Sequence, residues 1–178
     1  MPLRRRLLTL SLLGALLALP GASAWPQPMS EAQLKASYLI SFLKYIEWPG
    51  NPEALQLCLL GREELSPHLR AYEGRLIDGK PLRLLKITQN EQLAGCQMLY
   101  VADAEGDRLT QVSTLVGNRP VVIVSERVEP GRHQGAIALE TVGGRIVFDI
   151  NADAINRAGV RVASPMLRLA RQIHGGRR

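Results

Sequence analysis

The chain has 178 residues, with 22 basic and 16 acidic side chains, a formal charge of +6, 46% hydrophobic residues and 4% aromatic residues. Ordinary apolar content with moderate charge is typical of one globular domain, and it excludes a disordered, collagen-like, coiled-coil or cysteine-dense chain. Three arginines at positions 4–6 belong to a leader-like segment, and without them the formal charge falls to +3. Such a mild charge does not favour nucleic acid as a partner.

Residues 1–24 are predicted to be a secretory signal peptide. A basic segment at 4–6 precedes an apolar stretch at 7–19, and Ala22, Ser23 and Ala24 form a small-residue cleavage site. A membrane anchor is the alternative, but a helix of about 13 residues spans only ~20 Å, against ~30 Å for the hydrocarbon core of a bilayer. We therefore expect a cleaved leader and one mature domain at 25–178 in an oxidising compartment outside the cytoplasm.

Two cysteines, Cys58 and Cys96, fall in the mature part. In an oxidising compartment two cysteines are most simply one disulfide, which for a loop of this length stabilises a fold by about 4 kcal/mol in the chain-entropy model. A metal site or a catalytic thiol is the alternative. A metal site needs more ligands than these cysteines and scattered histidines supply, and a catalytic thiol needs a nearby base. No metal and no cofactor are predicted.

Strands and helices alternate along most of the mature chain. Ser30 and Gln33 form a capping-box pattern at the start of a helix predicted for residues 30–46. The predicted strands are residues 55–60, 82–87, 98–101 and 120–125, and further helices are predicted at 63–72 and 104–116. The run at 55–60 is continuously apolar, as in a strand buried on both faces. This alternation indicates a parallel sheet with crossover helices.

The last third of the chain is predicted to open with an antiparallel hairpin. Strands at 136–141 and 145–150 flank a turn that contains Gly143. A helix then follows with Asn151 as its N-cap, and Gly159 is suited to the position just after its end.

A final helix is predicted to begin at Ser164 and Pro165. The serine hydroxyl is the expected N-cap, and the proline is the expected first helical residue. The apolar face of this helix is expected to consist of Leu167, Leu169, Ala170 and Ile173.

The sequence contains no motif for catalysis. Nucleotide-binding, hydrolase and zinc-protease patterns are absent, and the three histidines are far apart. Asp149, Asn151 and Asp153 resemble the start of a calcium loop, but Ala154 and Val160 stand where glycine and glutamate are needed. The sequence therefore predicts a protein that is not an enzyme.

An α/β sheet offers a binding crevice beyond the carboxyl ends of its parallel strands. Four polar residues are expected near this crevice: Arg62, Thr88, Asp103 and Ser125. Arg161, between two helices, has the chemistry to pair with an acidic ligand. The alternative for Arg161 is an ordinary solvated or ion-paired arginine.

Four segments of the chain resemble the YfiR-like family of exported bacterial proteins. They are KASYLISFLKYIEWP at 35–49, the turn at Gly61, MLYVAD at 98–103 and GGRIVFDINADAINRAGVRVASPMLRLA at 143–170. The resemblance extends over residues 30–173. It implies an α/β fold, a three-layer sandwich with a mostly parallel, Rossmann-like sheet, which here includes the predicted C-terminal antiparallel hairpin.

The resemblance also implies a function. YfiR-like proteins are similar to a periplasmic repressor that binds the periplasmic sensor domain of an inner-membrane diguanylate cyclase and lowers cyclic-di-GMP synthesis and biofilm formation. An OmpA-like outer-membrane lipoprotein sequesters that repressor. Cys58 and Cys96 match the longer of two disulfides in the family pattern, whereas residues 131–138 contain no cysteine for the second. A homodimer is left open.

Two other functions remain as alternatives. The first is a periplasmic small-ligand receptor of the same fold that reports to a different membrane partner, and the second is an enzyme. A repressor that acts by binding must present apolar surface that its own core does not use. The partner-binding candidates are Ile137 in the hairpin and Ile155 in the helix after it, with Asp149 and Arg161 as a charged rim. The alternative is that both isoleucines belong to the core.

Overall fold

Local sequence signals determine where the first helix begins. The computed structural model, which describes residues 29–102, 106–126 and 135–176, has helix α1 at Glu31–Tyr45. The Ser30 hydroxyl accepts a hydrogen bond from the Gln33 N–H, and the Gln33 side chain accepts one from the Ser30 N–H. These bonds satisfy two of the N–H groups that the start of a helix leaves without partners. The predicted capping box is confirmed.

Ten strands and five α-helices lie in the described residues. The strands are β1 (Ile46–Glu47), β2 (Leu55–Leu60), β3 (Leu76–Ile77), β4 (Lys80–Ile87), β5 (Met98–Val101), β6 (Val122–Glu126), β7 (Ile137–Val142), β8 (Arg145–Asn151), β9 (Arg161–Val162) and β10 (Gln172–His174). The helices after α1 are α2 (Ser66–Leu69), α3 (Gly106–Val116), α4 (Ala152–Ala158) and α5 (Ser164–Leu169). Every predicted strand is present, with ends that differ by at most two residues.

Eight of the strands form one sheet in the order β10-β8-β7-β6-β5-β2-β4-β3. Strands β4, β2, β5, β6 and β7 run parallel, whereas β8 runs antiparallel to β7, and β3 runs antiparallel to β4. Gly143 and Gly144 connect β7 to β8 with φ of 57° and 75°, the left-handed conformation that a two-residue hairpin turn needs. The predicted mostly parallel sheet and C-terminal hairpin are confirmed. Strands β1 and β9 form a separate antiparallel ribbon.

Side chains of the central strands alternate between two apolar clusters, one on each face of the sheet. In β2, Leu57 and Leu59 belong to the larger cluster, which α1 covers. Cys58 and Leu60 belong to the smaller cluster, which α3 covers. Both faces of the strand are therefore buried, which explains the continuous apolar run at 55–60 and gives the three expected layers.

The short helix predicted after β2 begins later than expected. The Glu63 carboxylate accepts hydrogen bonds from the N–H groups of Leu65 and Ser66 at 2.6 and 2.7 Å, and from the Ser66 hydroxyl at 2.5 Å. These bonds hold the residues before Ser66 in a capping turn, so α2 has only four residues. A 3₁₀ turn at Arg70–Tyr72 follows it.

The hairpin leads into α4 as predicted. The Asn151 side chain accepts a hydrogen bond from the Ala154 N–H at 3.1 Å, which is the expected N-cap contact. Gly159 ends the helix with φ of 64°, a conformation that side chains other than glycine adopt at a cost.

The final helix ends earlier than predicted. Helix α5 stops at Leu169, because Ala170 has extended backbone angles of −63° and 135°, and β10 follows. The predicted N-cap is also wrong, since the cap position is Ala163, which offers no hydrogen-bonding side chain, and Ser164 is already helical. The expected apolar face therefore forms only in part, since Leu167 and Ala170 pack against the larger cluster. Leu169 and Ile173 are 71% and 49% exposed.

The predicted disulfide joins Cys58 to Cys96 in the structure, with their Cα atoms 5.8 Å apart. Cys58 lies in the middle of β2, and Cys96 precedes the neighbouring strand β5. Both side chains are buried in the smaller cluster. The bond therefore fastens two adjacent parallel strands on the α3 face of the sheet.

Candidate functional site

The carboxyl ends of the parallel strands form the edge where the sequence predicted a crevice. The strand register aligns the last residues of β2, β4 and β5 along this edge. Thr88 follows β4, Arg62 lies two residues beyond β2, and Ser125 lies near the end of β6, where it is almost fully buried. Asp103 lies outside the described residues. Three of the four predicted residues therefore share this edge.

An ionic cluster closes the α1 face of the same edge at the end of β6. The Lys35 Nζ lies 2.8 Å from Oε1 of Glu126 and 2.8 Å from Oε1 of Glu31. The buried Tyr100 hydroxyl of β5 donates to the same Glu126 oxygen. The Glu126 carboxylate thus accepts hydrogen bonds from a residue of α1 and from a residue of the neighbouring strand β5. The cluster fastens the first turn of α1 to the ends of β5 and β6.

The charges of this ionic cluster stabilise one another. The pKa of Glu31 lies below its ordinary value of 4.5 because Lys35 and then Thr141 donate hydrogen bonds to its carboxylate. Burial alone would lower the pKa of Lys35, but hydrogen bonds to Glu126 and Glu31 outweigh it and raise that pKa above 10.5. The stability from Glu31 is therefore present above pH 4.5 and is lost as the pH falls through the lowered pKa. The stability from Lys35 is present below pH 10.5 and is lost as the pH rises through the raised pKa.

Substituting Glu126→Gln is expected to lower the free energy of unfolding by about 1–3 kcal/mol at neutral pH, because Lys35 and Tyr100 lose a charged acceptor. The alkaline decline of stability should also be smaller in the variant, since less of the Lys35 shift remains. Urea unfolding between neutral and strongly alkaline pH measures both effects.

The matched control is Glu47→Gln, which removes an exposed ion pair with Arg161 at 2.8 Å. An exposed pair contributes little, so this change should cost less than about 1 kcal/mol. If the free energy of unfolding falls by the same amount between neutral and alkaline pH in the wild type and in Glu126→Gln, the role given to the ionic cluster is contradicted.

The two isoleucines predicted as partner contacts lie in the core. Ile137 is 1% exposed and Ile155 is 7% exposed. Strand β7 presents Ile137 to the larger cluster, and α4 packs Ile155 against that cluster. This is the alternative that the sequence left open. Neither side chain offers surface to a partner in this fold.

The two charged candidates differ in exposure. Asp149 of β8 is 3% exposed, and its oxygens accept hydrogen bonds from Nε and Nη2 of Arg171 at 2.9 and 2.5 Å. Nη1 of Arg171 also lies 2.6 Å from Glu140, and these bonds raise the pKa of Arg171 above its ordinary value. Asp149 therefore binds the chain's own C-terminal segment. Arg161 lies at the surface of the β1–β9 ribbon, beside Glu47.

An exposed sheet edge near the C-terminus was not predicted. Strand β10 is the outermost strand on its side and pairs in parallel with β8. Leu169 and Ile173 leave much of their apolar surface uncovered next to this strand, and Arg168 is exposed beside Leu169. We name Arg168, Leu169, Gln172 and Ile173 the C-terminal edge.

A groove of about 400 Å³ lies between α3 and α4. Thr110 and Thr114 line it from α3, Arg157 lines it from α4, and Ile123 and Ala136 supply apolar lining. Polar and apolar groups line this groove in about equal measure, and a space of this size can hold a small molecule.

Two kinds of feature are absent from the described ranges. No cluster of three or more histidine, cysteine, aspartate or glutamate side chains in 29–102, 106–126 and 135–176 has the geometry to hold a metal ion. Nor does any helix within those ranges combine the length and the apolar content needed to cross a membrane.

The family model described as YfiR/HmsC-like matches residues 32–171. The chain belongs to this family. Membership supports a regulatory, non-enzymatic role in cyclic-di-GMP signalling and a periplasmic location. The predicted family is confirmed over nearly all of the described residues.

A solved structure of similar fold is described as the ABC domain in complex with L-Trp from Streptococcus pneumonia. The two chains superpose with a TM-score of 0.56 at 11% sequence identity, over 78% of this chain and 60% of that chain. At this identity the likeness shows the fold alone. The chain spans about 60% of the length of that protein.

Proposed function

We propose that this YfiR/HmsC-like protein is an exported periplasmic repressor of an inner-membrane diguanylate cyclase. It binds the periplasmic sensor domain of the cyclase and lowers cyclic-di-GMP synthesis and biofilm formation. The observation that carries the proposal is the family match across residues 32–171. The Cys58–Cys96 disulfide, which suits an oxidising compartment, supports it.

Repression across the membrane must be allosteric in this proposal. The repressor contacts the sensor domain on one side, and the cyclase makes its product on the other. A bound protein shifts such an equilibrium only by its different affinity for the two sensor states. To move the ratio of active to inactive cyclase from 99:1 to 1:99, the repressor must bind the inactive state about 5.5 kcal/mol more tightly than the active one. A broad interface is therefore favoured over a single contact.

Deleting the gene is expected to raise cellular cyclic-di-GMP, because the cyclase loses its repressor. The intact gene should restore the low level, whereas a copy without residues 1–24 should not, since its product stays on the wrong side of the membrane. Mass spectrometry of cell extracts measures the nucleotide. Unchanged cyclic-di-GMP in a deletion strain that expresses the cyclase would contradict the proposal.

The proposal includes an OmpA-like outer-membrane lipoprotein that relieves repression by sequestering the same protein. Sequestration and repression compete for one molecule, so an excess of the lipoprotein should raise cyclic-di-GMP as the deletion does. The same excess in the deletion strain should have no further effect, because nothing is left to sequester.

A second candidate function is a small-ligand receptor, which the groove between α3 and α4 favours. The solved structure of similar fold is described in complex with L-Trp, and this amino acid is therefore a suitable first probe. A receptor would be stabilised by about 2.7 kcal/mol at a ligand concentration 100 times the dissociation constant. A rise in Tm with L-Trp that Arg157→Gln removes would support this candidate, and an unchanged Tm would oppose it for this ligand.

A further inference from the structure

Strand β10 offers backbone groups on its outer side. The Arg171 N–H, just before the strand, points inward and donates to the Phe148 carbonyl at 2.9 Å. Asn151 of β8 faces β7, so Phe148 and Ile150 face β10, and the register therefore turns the N–H and C=O of Gln172 toward β8 and those of Ile173 away from it. Strand β10 contains no lysine, proline or acidic residue, the side chains that natural edge strands use to prevent pairing. Within the described ranges no strand pairs with this outer side, so there the edge is open to another strand.

Apolar side chains accompany these backbone groups. The register pairs Ile173 with Ile150, a member of the larger cluster, which puts Ile173 on the α1 face of the sheet. Helix α5 packs on that same cluster through Met166, so Leu169 and Ile173 belong to one side of the edge. An added strand would find hydrogen-bond partners and uncovered apolar surface at one place.

The opposite edge of the sheet is built differently. Strand β3 has two residues. Its exposed Leu76 follows Arg75 and pairs with Pro81, next to the basic Lys80 that opens β4. Short length and charge are the features that protect an edge from pairing. Leu76 is 70% exposed, almost the same fraction as Leu169, so this edge supplies a matched control.

We propose that the C-terminal edge accepts an extended segment of the cyclase's periplasmic domain as a ninth strand of the sheet. This inference rests on the proposed repressor function. In strand addition the main-chain hydrogen bonds give affinity, and side-chain contacts, here with Leu169 and Ile173, give specificity. No described residue forms an ion pair with the exposed Arg168, which favours a segment that carries an acidic side chain. A second copy of this chain brings another Arg168 instead, so like charges disfavour it.

The test is isothermal titration calorimetry of the purified exported protein with the purified periplasmic domain of a diguanylate cyclase encoded by the same bacterium. Ile173→Glu and Leu169→Glu are expected to weaken binding about tenfold or more, because each puts a charge into an apolar contact. Leu76→Glu at the opposite edge should keep the wild-type affinity. All three positions are exposed, so Tm should stay near the wild-type value and show that each variant folds.

A backbone variant separates strand addition from contact through side chains alone. Ile173→Pro removes the outward N–H and leaves the bonds to β8, a position where an edge strand tolerates proline. Ile173→Ala keeps that N–H and is the control for the lost side chain. Ile173→Pro should weaken binding more than Ile173→Ala does. Equal affinities in Ile173→Pro and Ile173→Ala would overturn strand addition.

Three further outcomes are decisive. If the wild type binds and every edge variant binds equally well, the C-terminal edge is not the interface, and the repressor function stands. If the wild type does not bind the cyclase domain, the proposed function fails, and this inference fails with it. If light scattering shows that Ile173→Glu converts a dimer to a monomer while cyclase binding is unchanged, the occupant is a second copy, and the proposal is overturned.

Discussion

Cys58→Ser is expected to lower the free energy of unfolding by about 2–5 kcal/mol, the usual cost of losing a native disulfide in a small secreted domain. The bond closes a sequence separation of 38 residues and joins the adjacent strands β2 and β5 inside the smaller cluster. Both sulfur atoms are buried, so the variant also puts a hydroxyl into apolar surroundings. Urea unfolding of the wild type and the variant measures the loss.

The control for this prediction is reduction. A reductant should destabilise the wild type and should leave the double variant Cys58→Ser, Cys96→Ser unchanged. Mass spectrometry without reductant should find the two cysteines linked in protein taken from the periplasm. Two free thiols in that material would contradict the prediction.

Ile137→Ala is expected to cost about 2–5 kcal/mol, the range for truncating a fully buried isoleucine. The register places Ile137, Ile150 and Ile173 side by side in one row across β7, β8 and β10. The first two are buried in the larger cluster, whereas Ile173 stands half exposed at the end of the row. The isoleucine-to-alanine substitution can therefore be compared at two buried positions and one half-exposed position on the same face of the sheet.

This row supplies its own control. Ile150→Ala should cost about as much as Ile137→Ala, and Ile173→Ala should cost less than about 1 kcal/mol, because little of its surface is removed from water. The midpoints of urea unfolding, at unchanged m-value, measure the series. A small loss in Ile137→Ala would mean that Ile137 is not a core residue and would return it to the partner-binding candidates.

Signals confined to a few neighbouring residues predicted much of the fold. The apolar run at 55–60 indicated a strand buried on both faces, and the apolar clusters on either side of β2 explain it. Ser30 and Gln33 marked the start of α1, and Gly143 marked the hairpin turn. The cap and the turn act through contacts within a few residues, and burial on both faces favours apolar residues at successive positions of the run, which is why the amino-acid order alone reveals all three.

Contacts between distant residues could not be predicted in the same way. Lys35 and Glu126 are 91 residues apart, and only the packing of α1 against β6 brings them together. Residues 164–173 have a helix-like apolar pattern, yet Arg171 binds Asp149 and Glu140 and holds the chain at the sheet edge as β10. Tertiary contact overrode local preference there. The isoleucines stayed ambiguous because an apolar side chain on a predicted element fits a core or an interface equally well.

Trp48 gives this protein an internal optical reporter. The indole packs against the larger cluster and donates from Nε1 to the Gln97 carbonyl at 3.0 Å, and the same carbonyl accepts the Val122 N–H at 2.9 Å. The ring therefore senses the place where β5 and β6 begin, one residue beyond Cys96 of the disulfide. The sequence contains two tryptophans, so replacing Trp25 by phenylalanine leaves Trp48 as the single emitter. Its fluorescence would then follow the opening of this corner of the sheet separately from the loss of helix that circular dichroism records.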